Sequence, residues 1–160
     1  MQAQPVETKS AQDAVNSRYV LGRLKLFYQQ FSTESLASLD EIYTPDIEFR
    51  DPVHVINGSL AVKNYLRTMA AGLTHYRIRY LDEVLSDNAA SLLWEMEYAH
   101  PRIKGGRVLV IRGSTFVKFT SRIYYHEDTY DLGAMVYEQI PVLGALVRKV
   151  KQRMSGKPRS

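Results

Sequence analysis

The sequence predicts an α+β fold, because helix-like patterns come first and strand-like patterns follow them. Apolar residues recur at steps of three and four in three stretches before residue 75. Four strand-like runs then occupy 76–85, 89–99, 107–119 and 122–131. The loops between these runs are of hairpin length, so we expect a mainly antiparallel sheet with the helices packed on it. This order differs from the alternating βαβ order of the Rossmann and flavodoxin classes.

Three helices are expected in the first half of the chain. The first starts at Ser10, in a Ser-x-x-Asp pattern typical of helix N-termini, and continues to about Phe31. A short second helix fits residues 36–43 and should end before Pro45, because proline disfavours helical geometry in the residue that precedes it. The third fits residues 59–72, since a serine can cap its start and a glycine stands at its end.

Two further elements complete the predicted order. Residues 47–56 form a short extended segment, which its proline confines to a sheet edge or a bulge. Helical spacing returns at 132–154, and this last part is basic and amphipathic. We therefore divide the chain into a disordered N-terminus at 1–9, one domain at 10–140, and a basic amphipathic C-terminal helix and tail at 141–160.

The formal net charge of +4 is unevenly distributed along the 160 residues. Residues 141–160 hold six basic side chains and no acidic one, whereas residues 1–140 hold 15 basic and 17 acidic side chains, a net charge of −2. We expect residues 141–154 either to pack on the domain or on a dimer partner, or to contact an anionic membrane surface. Nucleic-acid binding is not expected, because no basic groove rich in aromatic residues accompanies the charge.

Composition excludes several kinds of site. The chain has no cysteine, which excludes disulfides, thiolate nucleophiles and Cys-ligated metals. No apolar run of signal-peptide length stands near the N-terminus, and nowhere do 18 apolar residues follow one another. We therefore expect a cytoplasmic protein without a membrane span.

Two stretches carry a resemblance to a known superfamily. They are IYTPDIEFRDPVHVINGSLAVKNYL, at residues 42–66, and RIYYHEDTYDLGAM, at residues 122–135. In their order and spacing they resemble the nuclear transport factor 2-like superfamily, which includes SnoaL-like cyclases, ketosteroid isomerases and limonene epoxide hydrolase. The resemblance covers about residues 11–140. It implies a cone in which a curved sheet wraps around the helices and encloses an apolar pocket, with dimers commonly formed through the outer face of the sheet.

The ketosteroid isomerase pattern is only partly present. The resemblance places Asp51 on the general base of those enzymes, although an Asp-Pro pair also shapes turns without any catalytic role. It places Phe27 where those enzymes have a tyrosine, and Thr115 where they have a protonated acid. The usual oxyanion hole of the isomerase is therefore not expected here.

The limonene epoxide hydrolase pattern is also incomplete. The resemblance places Asp128 on the acid that activates water and His126 on an aromatic residue of the pocket. The strand that should supply an arginine and a second aspartate instead offers Glu95 and Glu97. Alternation along the last strand places Tyr124, His126, Asp128 and Tyr130 on one face.

SnoaL-like enzymes require less, namely one acid, often with a histidine nearby, in an apolar pocket. The catalytic candidates are Asp128, Asp51 and His126. A buried His–Asp pair is also commonly a structural hydrogen bond, and that alternative stays open. The candidates for ligand binding are Tyr28, His54, Trp94, Thr115 and Tyr130, with Thr115 and Tyr28 as hydrogen-bond donors.

Two functions follow from these candidates. The first is acid/base chemistry of an isomerase, cyclase or hydrolase type on a small apolar or polycyclic, oxygenated ligand, with no cofactor and no metal. The second is a non-catalytic ligand-binding or homodimeric interaction module, whose basic tail contacts a membrane surface or a partner. The sequence leaves open whether the protein is an enzyme.

Overall fold

Helices form the first part of the chain and a sheet the second in the computed structural model, which describes residues 6–135, 149–150 and 152–154. The described helices are α1 (Val6–Gln29), α2 (Leu39–Ile42), α3 (Ser59–Gly72) and α4 (Leu132–Met135), with 3-10 turns at Ser35–Ser38 and Lys104–Gly106. The strands are β1 (Tyr43–Arg50), β2 (Val55–Asn57), β3 (His75–Leu85), β4 (Ala89–Ala99), β5 (Leu109–Phe119) and β6 (Ile123–Tyr130).

The six strands form one mixed sheet in the order β2-β1-β6-β5-β4-β3. Neighbouring strands are antiparallel except β1 and β6, which run parallel. The α+β class and the mainly antiparallel sheet are therefore as predicted. The predicted extended segment at 47–56 divides into β1 and β2, and the break at 51–54 contains the proline.

Two helix boundaries differ from the prediction. Helix α1 begins at Val6, four residues before Ser10. The predicted helix at 36–43 is a 3-10 turn followed by the single turn of α2, and Tyr43 already belongs to β1 because it pairs with Ile123 of β6.

The core lies between the helices and one face of the sheet. Leu24 of α1 and Val62 of α3 are fully buried, as are Val117 and Phe119 on alternate positions of β5. Each such side chain stabilises the fold by about 1.5–3 kcal/mol relative to an exposed position. Burial alternates along β5, and Arg112 points outward from that strand.

Most of the predicted C-terminal helix lies outside the described residues. Helix α4 accounts for its first four residues, and 149–150 and 152–154 are also helical. Within the described part of the chain, no helix is long and apolar enough to cross a membrane. The domain boundaries at 10 and 140 stay predictions.

Candidate active site

A mostly apolar cavity of about 60 Å³ lies between α1, α3 and the inner face of the sheet. Its walls include Leu24 and Tyr28 from α1, Met69 from α3, and Trp94 and Met96 from β4. Two carboxylates also line it, those of Asp51 and Asp128. This inner cavity therefore combines apolar walls with a few polar groups, as small-molecule sites commonly do.

An extra residue in β6 decides which of its side chains face inward. Ile123 pairs with Phe119 and Tyr125 pairs with Lys118, so Tyr124 has no partner of its own in β5. This bulge lets Ile123 and His126 both point into the core, although they are three residues apart. Tyr124 is consequently exposed, and its prediction on the face of His126, Asp128 and Tyr130 was wrong.

His126 stands behind the cavity wall and holds Asp128 from that side. The imidazole is 1% exposed, and its Nε2 lies 2.9 Å from Oδ1 of Asp128. A carboxylate only accepts hydrogen bonds, so Nε2–H donates and the opposite nitrogen, Nδ1, accepts. The donor to Nδ1 is the hydroxyl of Tyr43 at 2.8 Å, and Tyr28 donates in turn to the Tyr43 oxygen at 3.1 Å.

A second set of hydrogen bonds reaches Asp128 from the centre of the sheet. The indole N–H of Trp94 donates to Oγ1 of Thr115 at 2.9 Å, and this hydroxyl donates to Oδ1 of Asp128 at 2.5 Å. Within the described residues no hydrogen bond reaches Oδ2 of Asp128, whose side chain is 19% exposed. One carboxylate oxygen is therefore fixed, and the other has no protein partner in this part of the chain.

Both predicted hydrogen-bond donors are already engaged within the protein. The Thr115 hydroxyl donates to Asp128, and the Tyr28 hydroxyl donates to Tyr43. Burial, followed by the charge of nearby groups, raises the pKa of Tyr28 well above its ordinary value, so this phenol stays neutral. Both residues line the inner cavity, but in this arrangement their hydroxyl hydrogens do not point to a ligand.

Asp51 lies at the same cavity but has partners on both oxygens. Oδ1 accepts the backbone N–H groups of Val53 and His54, each at 2.7 Å, and Oδ2 accepts the hydroxyl of Tyr65. The side chain is 3% exposed, and this burial raises its pKa. The bonds from Tyr65, the two backbone groups and the His54 ring outweigh burial and hold the pKa of Asp51 below its ordinary value.

His54 does not line the cavity. Its Nδ1 lies 3.2 Å from both oxygens of Asp51, its ring lies 5.0 Å from that of Tyr65, and about half of the side chain is exposed. Of the five predicted ligand-binding residues, the structure places Tyr28, Trp94, Thr115 and Tyr130 on the cavity wall.

Three tyrosines on the wall have no hydrogen-bond partner for their hydroxyls among the described residues: Tyr76, Tyr80 and Tyr130. Burial, with a contribution from the Asp128 charge, raises the pKa of each phenol, so all three remain hydrogen-bond donors at neutral pH. Sequence reasoning proposed only Tyr130. The alternation in YRIRY places Tyr76, Ile78 and Tyr80 on one face of β3 and was sufficient to find the other two.

Among the described residues, no three His, Asp or Glu side chains gather as metal ligands. His126 and Asp128 are a pair whose other neighbours are the hydroxyls of Tyr43 and Thr115.

Solved structures of other proteins share this fold. A protein of unknown function from Burkholderia pseudomallei, described as NTF2-like, has a TM-score of 0.64 at 16% identity and covers 73% of this chain and 94% of its own. A proposed polyketide cyclase from Xanthomonas campestris has a TM-score of 0.61 at 14% identity, covering 76% and 96%. TerC, co-crystallised with polyporic acid, has a TM-score of 0.64 at 15% identity, covering 76% and 98%.

These identities are low, so the likeness to solved structures shows the fold alone, an NTF2-like cone of helices on a curved mixed sheet. Comparison with curated proteins gave no match. The family model for the SnoaL-like domain matches residues 24–126, which include most of the inner cavity and end at His126. The chain belongs to the SnoaL-like domain family and has an NTF2-like fold.

Proposed function

We propose that this protein binds a small, apolar ligand that carries oxygen and removes a proton from it with Asp128. The observation that supports this most directly is the state of the Asp128 carboxylate. It lies on the wall of an apolar cavity, with Oδ1 fixed by Thr115 and His126 and with Oδ2 unbonded within the described residues. A general base needs an oxygen that can reach the ligand and a side chain that does not rotate away from it.

Asp51 is the weaker candidate for the base. Both of its oxygens already accept hydrogen bonds, and those bonds hold its pKa below the ordinary value. A lower pKa makes a carboxylate a poorer proton acceptor near neutral pH. We assign Asp51 to the structure of the cavity rim.

His126 acts through Asp128 in this proposal. It does not line the inner cavity, so it is a positioning residue, not a catalytic one. Its Nε2–H donates to Oδ1 and keeps the carboxylate of Asp128 from rotating away from the cavity.

The reaction begins at a carbon next to a carbonyl group of the ligand. The C–H bond breaks, its proton forms an O–H bond on Asp128, and the electron pair moves onto the carbonyl oxygen as an enolate. The hydroxyl of Tyr80 or Tyr130 supplies the hydrogen bond that stabilises this oxygen. Return of the proton from Asp128 to another atom of the ligand completes an isomerisation. For a cyclisation, the enolate carbon attacks a second carbonyl carbon of the ligand, the electron pair of that C=O bond moves onto its oxygen, and this oxygen takes the proton from Asp128.

The relatives support a small organic molecule as the ligand. The chain shares its fold with a proposed polyketide cyclase and with a protein co-crystallised with polyporic acid. An apolar cavity wall with three phenol donors suits a ligand that carries oxygen on an apolar frame.

The experiment starts with native mass spectrometry of the purified protein, which detects a ligand that is retained. Proton abstraction is then measured with 2-tetralone, an apolar ketone, as incorporation of deuterium in D₂O. We expect the protein to accelerate this exchange and Asp128→Asn to reduce the acceleration by about 100-fold or more. Glu127→Gln, the adjacent position on the other side of β6, is the control and should keep the rate. Equal rates in Asp128→Asn and the unaltered protein would overturn the assignment of the base.

A non-catalytic binding protein is the second candidate. The observation that favours it is that the hydroxyls of Thr115 and Tyr28 donate hydrogen bonds within the protein. Only the tyrosines of β3 and Tyr130 then remain on the cavity wall as donors that could stabilise an enolate. In the same experiment, a retained ligand without any exchange that depends on Asp128 would favour this alternative.

We also propose a homodimer and a contact of the C-terminal segment with anionic membrane surfaces. Val110, Phe116 and Tyr124 are exposed on the outer face of the sheet, and these apolar groups support pairing of two sheets. Light scattering coupled to size-exclusion chromatography tests the dimer. A molar mass of 18.3 kDa, that of one chain, would contradict it. A cytoplasmic location stays a prediction.

A further inference from the structure

The inner cavity is smaller than most ligand pockets of proteins, which have volumes of about 300–1,000 Å³. At about 60 Å³ it is less than half as large as a cavity of about 150 Å³ that holds one benzene ring. A ligand with more than a few non-hydrogen atoms must therefore extend beyond it.

A second space adjoins the inner cavity where α1 ends. We call it the outer groove. It has a volume of about 340 Å³ and is lined by the segment 31–34, by Ala70 and Ala71 near the end of α3, and by Leu73 to Tyr76. Phe31 and Tyr76 line both spaces, and their rings stand 5.2 Å apart between centroids. These two half-buried side chains are the partition between cavity and groove.

The charged side chains that line the two spaces are mainly acidic. Asp51 and Asp128 line the inner cavity and Glu34 lines the outer groove, whereas no lysine or arginine of the described residues lines either space. Hydrogen bonds from its own backbone N–H, Ser32 and Thr33 hold the pKa of Glu34 below its ordinary value. His75, at the end of the groove, lies 3.3 Å from the carboxylate of Glu97. An anionic ligand group would meet like charge in both places.

We propose that the inner cavity and the outer groove form one binding site for an elongated ligand. Its apolar head lies in the inner cavity, and its tail, uncharged or cationic with hydroxyl or amine groups, lies in the outer groove beside Glu34. The rings of Phe31 and Tyr76 must turn aside to let the chain between head and tail pass. Together the two spaces reach about 400 Å³, within the range of about 300–1,000 Å³ of ligand pockets. The position of the head rests on the function proposed above.

Three methyl ketones separate head from tail, with NMR titration of the protein as the readout of binding. Butan-2-one is the head alone, 8-hydroxyoctan-2-one adds a hydroxyl tail, and 7-oxooctanoic acid adds an anionic tail of the same length. We expect the alcohol to bind at least fivefold more tightly than butan-2-one. We expect the acid to bind about tenfold more weakly than the alcohol at pH 7.

Two substitutions test the groove itself. Ala71→Trp fills the groove and should reduce the affinity of the alcohol to that of butan-2-one, whose own affinity stays unchanged. Ala61→Trp is the matched control, because Ala61 is exposed on the same helix and lines neither space. Glu34→Gln keeps the shape and should bring the affinity of the acid to within about threefold of that of the alcohol.

The outcomes separate this inference from the proposed function. If butan-2-one binds but the tail and Ala71→Trp change nothing, the outer groove is not part of the site and this inference is overturned. If butan-2-one itself does not bind, the inner cavity takes no small ketone, and the function proposed above fails with it.

Discussion

At position 113 only glycine leaves room for the indole of Trp94. A Cβ at Gly113 would overlap the ring atoms Cη2 and Cζ2 of Trp94 and lie 2.7 Å from the backbone oxygen of Thr129. The same indole donates a hydrogen bond to Thr115, and Thr115 donates one to Asp128. The absence of a side chain at Gly113 therefore helps to position the carboxylate, through these two hydrogen bonds. Glycine in the interior of a strand commonly marks such a close approach.

We therefore expect Gly113→Ala to disturb both stability and function. Overpacking should lower the free energy of unfolding by about 1–3 kcal/mol, measured by urea denaturation. The shifted indole should also slow the deuterium exchange of 2-tetralone at Asp128. Gly22→Ala is the control, because a Cβ at Gly22 meets nothing within 4 Å. A Gly113→Ala variant as stable and as active as the unaltered protein would show that the indole can move without cost.

Tyr43 supplies the donor for the acceptor nitrogen of His126. Asp128 keeps the hydrogen of the imidazole on Nε2, and the Tyr43 hydroxyl donates to Nδ1 at 2.8 Å. Tyr43→Phe should therefore leave Nδ1 without a donor, shift its resonance in ¹⁵N NMR of the imidazole, and slow the exchange reaction. Tyr28→Phe removes only the donor to Tyr43 and should leave the Nδ1 resonance nearly unchanged. An unaltered His126 spectrum in Tyr43→Phe would contradict this role.

At the scale of elements, the turn between β1 and β2 depends on Asp51. The carboxylate accepts the backbone N–H groups of Val53 and His54 and so closes the turn at 51–54. Its pKa is lower in the folded protein than in the unfolded chain. Its charge therefore stabilises the fold at pH values above the ordinary value of about 4, and this contribution is lost as the pH falls through the lower folded value.

Asp51→Asn should accordingly destabilise the protein by about 1–3 kcal/mol at pH 7. The difference from the unaltered protein should shrink as the pH falls below about 4, because the carboxylate of the unfolded chain then takes up a proton while the folded protein resists doing so. Urea denaturation at several pH values measures both quantities. Asp46→Asn, at an exposed position of β1, should show no such dependence. A difference that stays constant with pH would mean that the charge of Asp51 does not stabilise the turn.

The elements also show what the sequence could and could not predict. Strands β3 and β4 were predicted within one residue, because their alternation and the Asp87-Asn88 turn are local signals. The prediction that Tyr124 shares a face with His126 was wrong. The bulge in β6 arises from the pairing of β6 with β5, and the local sequence pattern does not indicate it. The engagement of Thr115 by Asp128 was missed for a similar reason, since it depends on cross-strand register between β5 and β6.

At the scale of the whole molecule, the chain separates two kinds of charge. The inner cavity and the outer groove are acidic, whereas six basic residues are concentrated in 141–160. Of this segment the structure describes residues 149–150 and 152–154, in which basic and apolar side chains are exposed together, Met154 to 81%. Exposed apolar groups beside basic ones are typical of helices that lie on anionic membrane surfaces.

We therefore expect the full chain to bind vesicles that contain phosphatidylglycerol, and to be released as the salt concentration rises. Each basic residue near such a surface contributes about 1 kcal/mol, so replacing Lys149, Lys151 and Arg153 together by glutamine should weaken binding more than tenfold. The replaced positions are remote in sequence from the cavity, so the affinity for butan-2-one should not change. Vesicle sedimentation and NMR titration measure the two effects. Equal vesicle binding by both proteins would contradict a membrane contact through this segment and leave packing on a partner as its role.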